Sequence, residues 1–301
     1  MTSIALLGAG GKMGCRILDH LQQNPAYALR CVEPGAAGRE QLAARGVAPV
    51  ARETALATAD VVMLALPDRV LGSVAREIIP TLRPHTMVFM LDPAAAAAGE
   101  LPPNPDLTYF VSHPCHPSVF EHFSTREEID DFFGGTHARQ PIVCALMQGP
   151  ESDYARGERL ARDIYAPVTR AHRVTVEQMA LLEPTMAEVC GIALIMTLRE
   201  ALEETVRRGV PRAAAEDFMY GHIKVPLGIA FGRVRFPFSD GARLIARYGQ
   251  QRLLRPDWKS VFEPERVREQ VQAIVTGQLP EEDAPLTPTP TPTSAPTPHG
   301  A

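Results

Sequence analysis

The sequence predicts an α/β amino-terminal part, a doubly wound parallel sheet with helices on both faces, followed by an all-helical carboxyl-terminal domain. Short apolar runs alternate with segments of helical spacing up to about residue 170, which is typical of a parallel sheet covered on both faces. From about residue 174 the strand signals stop and long helical stretches follow. A chain of 301 residues is long enough to bury two cores.

Six segments have the composition of buried strands. They cover residues 3–7, 28–32, 60–66, 85–91, 107–112 and 141–147. Residues 189–198 form part of a later helical stretch and are apolar nearly all round, so that helix is expected inside a bundle or at a subunit interface. The sequence therefore predicts a homodimer formed through the helical domain.

The predicted domains are residues 1–170 for the sheet, 171–278 for the helices that bind substrate and dimerise, and 279–301 for a disordered tail. The tail repeats proline and threonine (LTPTPTPTSAPTP), a composition that cannot sustain a helix or bury a core.

Composition excludes several classes of partner. The 30 basic and 35 acidic residues give a net charge of -5, which favours neither nucleic acid nor an anionic membrane surface. The five cysteines are odd in number, widely spaced and without a CxxC pair, as expected for reduced thiols. The amino terminus lacks the pattern of a signal peptide. We expect a cytoplasmic protein whose partner is a small molecule.

The first strand runs into a glycine turn, GAGGKMG, at residues 8–14. Backbone without side chains lets a pyrophosphate approach the start of the following helix, where free N–H groups and the helix dipole favour negative charge. Glu33 follows 19 residues after Gly14, where a ribose-hydroxyl acceptor is expected. The pattern predicts a Rossmann domain that binds NAD, because a carboxylate at Glu33 would repel the extra phosphate of NADP. Because Arg39 is nearby, NADP stays open as the alternative cofactor.

The ALPD loop at residues 65–68 should also meet the cofactor, since it ends a strand of the same sheet. The predicted cofactor-binding residues are Gly8, Gly10, Gly11, Lys12, Met13, Gly14, Glu33, Leu66 and Pro67.

The segment VSHPCHP, residues 111–117, places two histidines directly after a predicted strand. Flanking prolines fix the backbone, so His113 and His116 should be held beside the nicotinamide as acid/base or orienting groups. A zinc site would need further ligands, and a nucleophilic Cys115 would need a base and an oxyanion hole. Both remain alternatives at this stage.

Acidic residues at the start of the apolar helix complete the predicted site. Glu183 and Glu188 lie in LLEPTMAEVC, and an acid in such surroundings needs a partner or ligand. His222, in YGHIKVPLGIAFG, is a further candidate for the same cleft. Arg233 and Arg235 are candidates for holding a substrate carboxylate.

The sequence resembles NAD-dependent oxidoreductases with a phosphogluconate dehydrogenase-like carboxyl-terminal domain, a family that includes D-apionate oxidoisomerases. The resemblance is carried by four motifs in the same order: GAGGKMG, VSHPCHP, LLEPTMAE and YGHIKVPLGIAFG. The resemblance implies NAD-linked oxidation of a sugar-derived hydroxy acid, in the oxidoisomerases coupled to a rearrangement of the carbon skeleton. It also implies, by similarity to ketol-acid reductoisomerases, a Mg²⁺ ion that Glu183 and Glu188 would hold.

Other functions remain open from the sequence alone. The architecture is similar to that of prephenate dehydrogenases and of 6-phosphogluconate dehydrogenases, although Leu182 and Glu183 stand where prephenate dehydrogenases usually carry serine and histidine. A zinc hydrolase or a non-catalytic NAD sensor would represent a different class of protein.

Overall fold

The computed structural model describes residues 1–280. Its centre is a seven-stranded sheet in the order β2-β1-β3-β4-β5-β6-β7. The strands are β1 Thr2–Leu7, β2 Tyr27–Val32, β3 Val61–Leu64, β4 Met87–Met90, β5 Thr108–Pro114, β6 Gln140–Gln148 and β7 Val168–Arg173. The six predicted strands are all present, and β7 is an addition.

Helices surround the sheet and then take over the chain. The helices among the strands are α1 Lys12–Leu21, α2 Ala36–Ala43, α3 Arg52–Leu56, α4 Asp68–Ile78, α5 Ala94–Ala97, α6 Arg126–Asp130 and α7 Ser152–Ile164. After β7 come α8 Val176–Ala180, a π-helical segment Leu181–Ile192, α9 Ala193–Arg207, α10 Arg212–Ala230, α11 Asp240–Leu253 and α12 Pro264–Thr276. Two short 3-10 helices, Ile79–Thr81 and Trp258–Phe262, complete the set within residues 1–280.

The strands are buried because their side chains alternate between two cores. Val62, Val88 and Tyr109 face one core, and their neighbours Met63 and Phe89 face the other. Helices cover both faces, so the central strands β3 and β4 are apolar at every position. This arrangement confirms the predicted Rossmann-like sheet followed by helices.

One pairing departs from the predicted parallel sheet. Strand β6 runs antiparallel to β5, whereas the other pairings are parallel. The connection from β5 to β6 contains only α6, a helix of 5 residues, which is too short for the crossover that a parallel neighbour needs. The sheet is therefore parallel except where β6 pairs with β5. As a result, the start of β6 lies beside the end of β5.

The first long helix of the carboxyl-terminal part is continuous from Val176 to Arg207. Pro184 lies within it, inside the π-helical segment, where the wider turns accommodate the missing N–H donor. By length and composition alone this helix could cross a membrane, and 22% of its most apolar window is buried. Its exposed apolar side chains include Ile192, Ile195 and Met196.

The predicted domain boundaries and the homodimer remain predictions. The predicted tail, residues 279–301, falls almost wholly outside the described residues, which end at residue 280. All five cysteines lie within the described part of the chain and are free thiols.

Candidate active site

The glycine turn leads directly into the first helix of the sheet domain. Gly11 caps α1 without a side-chain hydrogen bond, so no side chain takes up the first N–H groups of that helix. Gly8 has a φ of +76°, and a Cβ there would lie 2.3 Å from the Ala65 carbonyl oxygen. A Cβ at Gly14 would lie 2.1 Å from the Gly8 oxygen. Only glycine therefore permits this turn, and the exposed N–H groups suit the pyrophosphate of a dinucleotide.

Glu33 reaches back to the same turn from the end of β2. Its carboxylate accepts hydrogen bonds from the backbone N–H groups of Gly10, at 3.0 Å, and Gly35, at 2.9 Å. The backbone of Gly38, in α2, also lies against Gly10, because a Cβ on Gly10 would be 2.2 Å from the Gly38 oxygen. Each carboxylate oxygen has a second lone pair, which leaves Glu33 capable of accepting from a ribose hydroxyl.

A pocket of about 470 Å³ lies beyond the glycine turn, at the carboxyl ends of the parallel strands. It brings together residues from both parts of the chain. Eight of the residues that the sequence predicted for the site line this pocket: Gly11, Lys12, Met13, Leu66, Pro67, His113, His116 and Glu183. Gly8, Gly10, Gly14 and Glu33 form the turn behind it and are not part of its lining.

His113 is the centre of the polar side of this pocket. Its Nδ1 lies 2.8 Å from the Leu91 carbonyl oxygen, which can only accept, so Nδ1 carries the proton. Its Nε2 lies 3.3 Å from Oε2 of Glu183, and its Nδ1 is 3.8 Å from Oδ2 of Asp92. The ring is thus fixed in orientation between two carboxylates that come from different domains.

The charges around His113 depend on one another. Burial disfavours the charged imidazole, but the hydrogen bond and charge of Glu183, together with Asp92, outweigh burial and raise the pKa of His113 to about 9. Burial opposes ionisation of Glu183 as well, yet the contact with His113 lowers its pKa. The pair is therefore an imidazolium and a carboxylate in the protein without bound ligand.

Three further acids surround this pair. Burial, followed by the charge of Asp92, raises the pKa of Asp68 to about 6. The pKa of Asp92 is raised chiefly by burial. Glu188 does not line the pocket, but burial and the charges of Glu183 and Asp92 raise its pKa too. Four carboxyl groups around one imidazole leave an excess of negative charge that favours a cation.

Asp92, His113 and Glu183 together have the chemistry of a metal site. One ligand atom from each lies within 4.8 Å of the other two. Two carboxylate oxygens and one imidazole nitrogen suit a divalent cation of the Mg²⁺ to Mn²⁺ range. The residues predicted to hold Mg²⁺ were Glu183 and Glu188; Glu183 is a member of this cluster and Glu188 is not, so the choice of ligands remains a prediction.

His116 adopts an uncommon backbone conformation for a residue with a side chain, with a φ of +61°. Its Nδ1 lies 2.9 Å from the Phe133 carbonyl oxygen, so Nδ1 donates and Nε2 keeps a free lone pair. The rings of His113 and His116 are 6.2 Å apart and nearly perpendicular. Cys115 lies between them, and although the residue as a whole is exposed, partial desolvation of its thiol raises the pKa, which disfavours a reactive thiolate.

His222 lies elsewhere in the chain. Its ring stacks on Phe218 at 3.9 Å, and it faces a separate apolar cavity of about 700 Å³ between α10 and α11. Arg233 packs on the Phe120 ring, 5.0 Å away, and does not line the pocket. Within a single copy of the protein, neither His222 nor Arg233 is part of the pocket around His113.

Sequence reasoning did not single out Asp92, Arg16, Phe133, Gln140 or Tyr165, all of which line the pocket. Asp92 had a recognisable signal, since it is the first polar residue after a buried strand, at the same sheet edge as His113. Arg16, in the second turn of α1, and Tyr165, directly after α7, carry no such signal, because only the packing of their helices against the sheet brings them to this edge.

A dinucleotide turn, a pocket at the carboxyl edge of the sheet and a histidine between carboxylates define an NAD-binding oxidoreductase. Family comparison agrees. Residues 121–275 match the carboxyl-terminal domain of decarboxylating phosphogluconate dehydrogenase, and residues 3–92 match coenzyme F420-dependent NADP oxidoreductases.

More specific relatives define the family. The chain is 47% identical over 272 residues to the D-apionate oxidoisomerase of Cupriavidus necator, covering 90% of this chain and 98% of that protein. It is 47% identical over 275 residues to the D-apionate oxidoisomerase of Rhizobium rhizogenes, covering 91% and 100%. The chain belongs to this oxidoreductase family.

Solved structures show the same fold. A semialdehyde dehydrogenase NAD-binding protein from Cupriavidus necator, crystallised with calcium and NAD, superposes with a TM-score of 0.88 at 46% identity, covering 91% of this chain and 99% of that one. An NADH-preferring ketol-acid reductoisomerase from an uncultured archaeon shares the fold, with a TM-score of 0.58 at 19% identity over 92% of this chain and 82% of that one.

Proposed function

We propose that this protein is an NAD-dependent oxidoisomerase of D-apionate or a closely similar branched sugar acid, and that a divalent cation assists the reaction. The observation that carries the proposal is the cluster of Asp92, His113 and Glu183 in the same pocket as the amino-terminal end of α1. An oxidation needs a hydride acceptor and a proton acceptor at one carbon, and a skeletal rearrangement needs polarised neighbouring oxygens.

Each group in the pocket has a distinct role in this proposal. The backbone N–H groups of Lys12 and Met13, at the start of α1, would bind the pyrophosphate, and the walls at Leu66 and Pro67 would orient the nicotinamide. NAD supplies the hydride acceptor. His116 takes the hydroxyl proton at Nε2, since its Nδ1 is held by the Phe133 carbonyl.

The residues that would hold the cation are Asp92, His113 and Glu183. A bound divalent cation would supply a Lewis acid for the substrate oxygens. The Leu91 carbonyl accepts from Nδ1 of His113 and so fixes the ring with Nε2 facing Glu183, which makes Nε2 the nitrogen that would bind the cation. His113 must lose its Nε2 proton to serve as a ligand, so cation affinity should rise with pH.

The test is an NADH-absorbance assay with D-apionate, on protein treated with chelator and then supplied with Mg²⁺ or Mn²⁺. We expect turnover only after a cation is restored, and a loss of roughly 100-fold or more in Glu183→Gln and His113→Ala. Glu177→Gln, on the same long helix but outside the pocket, is the matched control and should retain turnover. Full activity in chelator would remove the cation from the proposal, and absence of turnover with D-apionate would remove the substrate.

A homodimer through the helices is the second part of the proposal. Within residues 212–253 only Ala215 and Gly228 are buried, whereas Phe218, Val225 and Ile245 are exposed. An apolar face of this extent needs a cover, and a second copy supplies it together with the exposed face of α9. Light scattering should give twice the chain mass of 32.8 kDa. A monomer that stays soluble without detergent would refute the dimer, and a protein recovered only with membranes would point to the long helix as a span.

A further inference from the structure

We propose that Arg16 binds the carboxylate of the sugar-acid substrate, at the end of the pocket formed by Phe133 and Gln140. The inference deepens the proposed function and rests on it, because it assigns the orientation of the acid in that pocket. The two arginines that the sequence suggested for this role, Arg233 and Arg235, are not part of the pocket lining.

Arg16 is held at the pocket by the helix that starts at the glycine turn. It lies one helical turn after Lys12 on α1 and is half-buried, while its neighbours Cys15 and Ile17 are buried in the core. One guanidinium nitrogen, Nη2, donates to the Gly134 carbonyl. A guanidinium has five N–H donors in a fixed plane, so this contact orients the group and leaves donors for a ligand.

The charge on Arg16 has no carboxylate partner within ion-pair distance in residues 1–280. By contrast Arg45, which packs against the same helix, pairs with Asp19 at 2.8 Å. Asp131 lies close enough to interact with the charge of Arg16, but the two form no ion pair within residues 1–280. An arginine that lines a cavity without an ion-paired carboxylate is suited to an anionic ligand, and a planar carboxylate matches the guanidinium fork.

An unpaired acceptor at the same end of the pocket is a separate observation. Gln140 is 1% exposed; its Nε2 donates to the Tyr165 carbonyl at 3.2 Å, and its Oε1 has no hydrogen-bond partner. A Cβ on Gly135 would lie 3.0 Å from Gln140 Nε2 and 3.3 Å from Arg16 Nη2, so the two side chains are neighbours. A buried acceptor without a donor is costly, and a turn of the Gln140 amide toward the pocket would bring Oε1 to the hydroxyl next to the carboxylate.

The distribution of charge then sets the direction of the substrate. The ring of Phe133 is close to both groups: its centroid lies 5.9 Å from the Arg16 guanidinium carbon and 5.9 Å from the centroid of the His116 ring. Arg16 attracts the carboxylate of the acid, while in the proposed function Asp92 and Glu183 hold the cation that would bind the oxygens at the reacting end of the substrate. The hydroxyl to be oxidised is therefore directed toward the two histidines.

The experiment compares Arg16→Gln, Arg16→Lys and, as the matched control, Arg45→Gln. For each we would measure the Kd for NADH and the kcat and KM for D-apionate and for its uncharged amide. We expect Arg16→Gln to raise the KM for the acid about 10- to 100-fold, with kcat for the amide and the Kd for NADH unchanged. Arg16→Lys should lie between, and Arg45→Gln should match the wild type.

Two results would overturn the assignment. An equal loss for acid and amide would mean that Arg16 only positions the Gly134 loop, and a weaker affinity for NADH would place its ligand in the cofactor. If the wild type binds NADH but leaves D-apionate unchanged, the proposed substrate fails separately. In that case the role of Arg16 is tested by thermal shifts with C4 to C6 sugar acids and their amides. The wild type should be stabilised by an acid but not by its amide, and Arg16→Gln should lose this stabilisation. If the wild type shows no such acid-specific shift, or if Arg16→Gln keeps it, the assignment of Arg16 is refuted.

Discussion

The pair of Glu183 and His113 makes a quantitative prediction about stability and pH. Glu183→Gln removes the carboxylate that lies 3.3 Å from Nε2 of His113 and preserves the shape of the side chain. In the metal-free protein the surrounding carboxylates raise the pKa of His113 from its ordinary 6.5 to about 9. A change of one in pKa corresponds to about 1.4 kcal/mol, so charging His113 stabilises the folded protein by about 3 kcal/mol.

The sign follows from the direction of the pKa change. Because the folded pKa of His113 is above the unfolded value, its stabilisation is complete below pH 6.5 and is lost as the pH rises through about 9. Asp68, whose pKa burial raises to about 6, lowers stability as the pH rises from 3.8 to about 6, so its effect ends before the His113 window begins. In Glu183→Gln, the burial of His113 lowers its pKa and so opposes the effect of the remaining carboxylates. The free energy of unfolding that is lost across that pH window should therefore shrink to about 1 kcal/mol or less.

The assay is urea denaturation in chelator, below pH 6.5 and above pH 9. Wild type should lose about 3 kcal/mol in unfolding free energy between these conditions, and Glu183→Gln clearly less. Glu188→Gln is the matched control on the same helix: it removes a carboxyl whose pKa burial and neighbouring acids raise, so it should stabilise the protein near neutral pH and keep the wild-type loss. Equal losses in wild type and Glu183→Gln would refute the pairing.

Two further predictions concern the backbone. His116→Asn retains the left-handed conformation at φ +61° with less strain, so it should abolish turnover yet preserve the free energy of unfolding or raise it by up to about 1 kcal/mol. The control His85→Asn, at φ +68° on an exposed turn, should give the same small gain in stability and leave turnover intact. A large loss of stability in His116→Asn would contradict this account. Gly14→Ala should weaken NADH binding at least 10-fold and destabilise the fold by roughly 2 kcal/mol or more, because its Cβ would lie 2.1 Å from the Gly8 oxygen. The control Gly221→Ala, with open space around it in α10, should stabilise the fold by up to about 1 kcal/mol. Unchanged NADH affinity in Gly14→Ala, measured by fluorescence titration, would refute the role of the turn.

Local patterns in the sequence were sufficient for the sheet and for part of the site. Apolar runs between helical segments predict six of the seven strands, because a strand buried on both faces must be apolar throughout. Strand β7 (VTRAHR) escaped prediction because it is largely exposed at the sheet edge and reads as a polar loop. The motifs GAGGKMG and VSHPCHP predict function because each specifies its chemistry within a few adjacent residues. The glycines of the first require a particular backbone conformation, and the second places two histidines at the end of a strand.

Only the tertiary structure decided which distant residues meet. Glu183 and Glu188 look equivalent in the sequence, but the turns of the π-helical segment direct Glu183 to His113 and leave Glu188 outside the pocket. Asp92 and Arg16 join the site because β4 ends and α1 begins at the same edge of the sheet, a relation between distant segments that no local pattern contains. A dinucleotide fold is thus specified by short-range constraints on the backbone, whereas the charge and the contacts of its site depend on long-range packing.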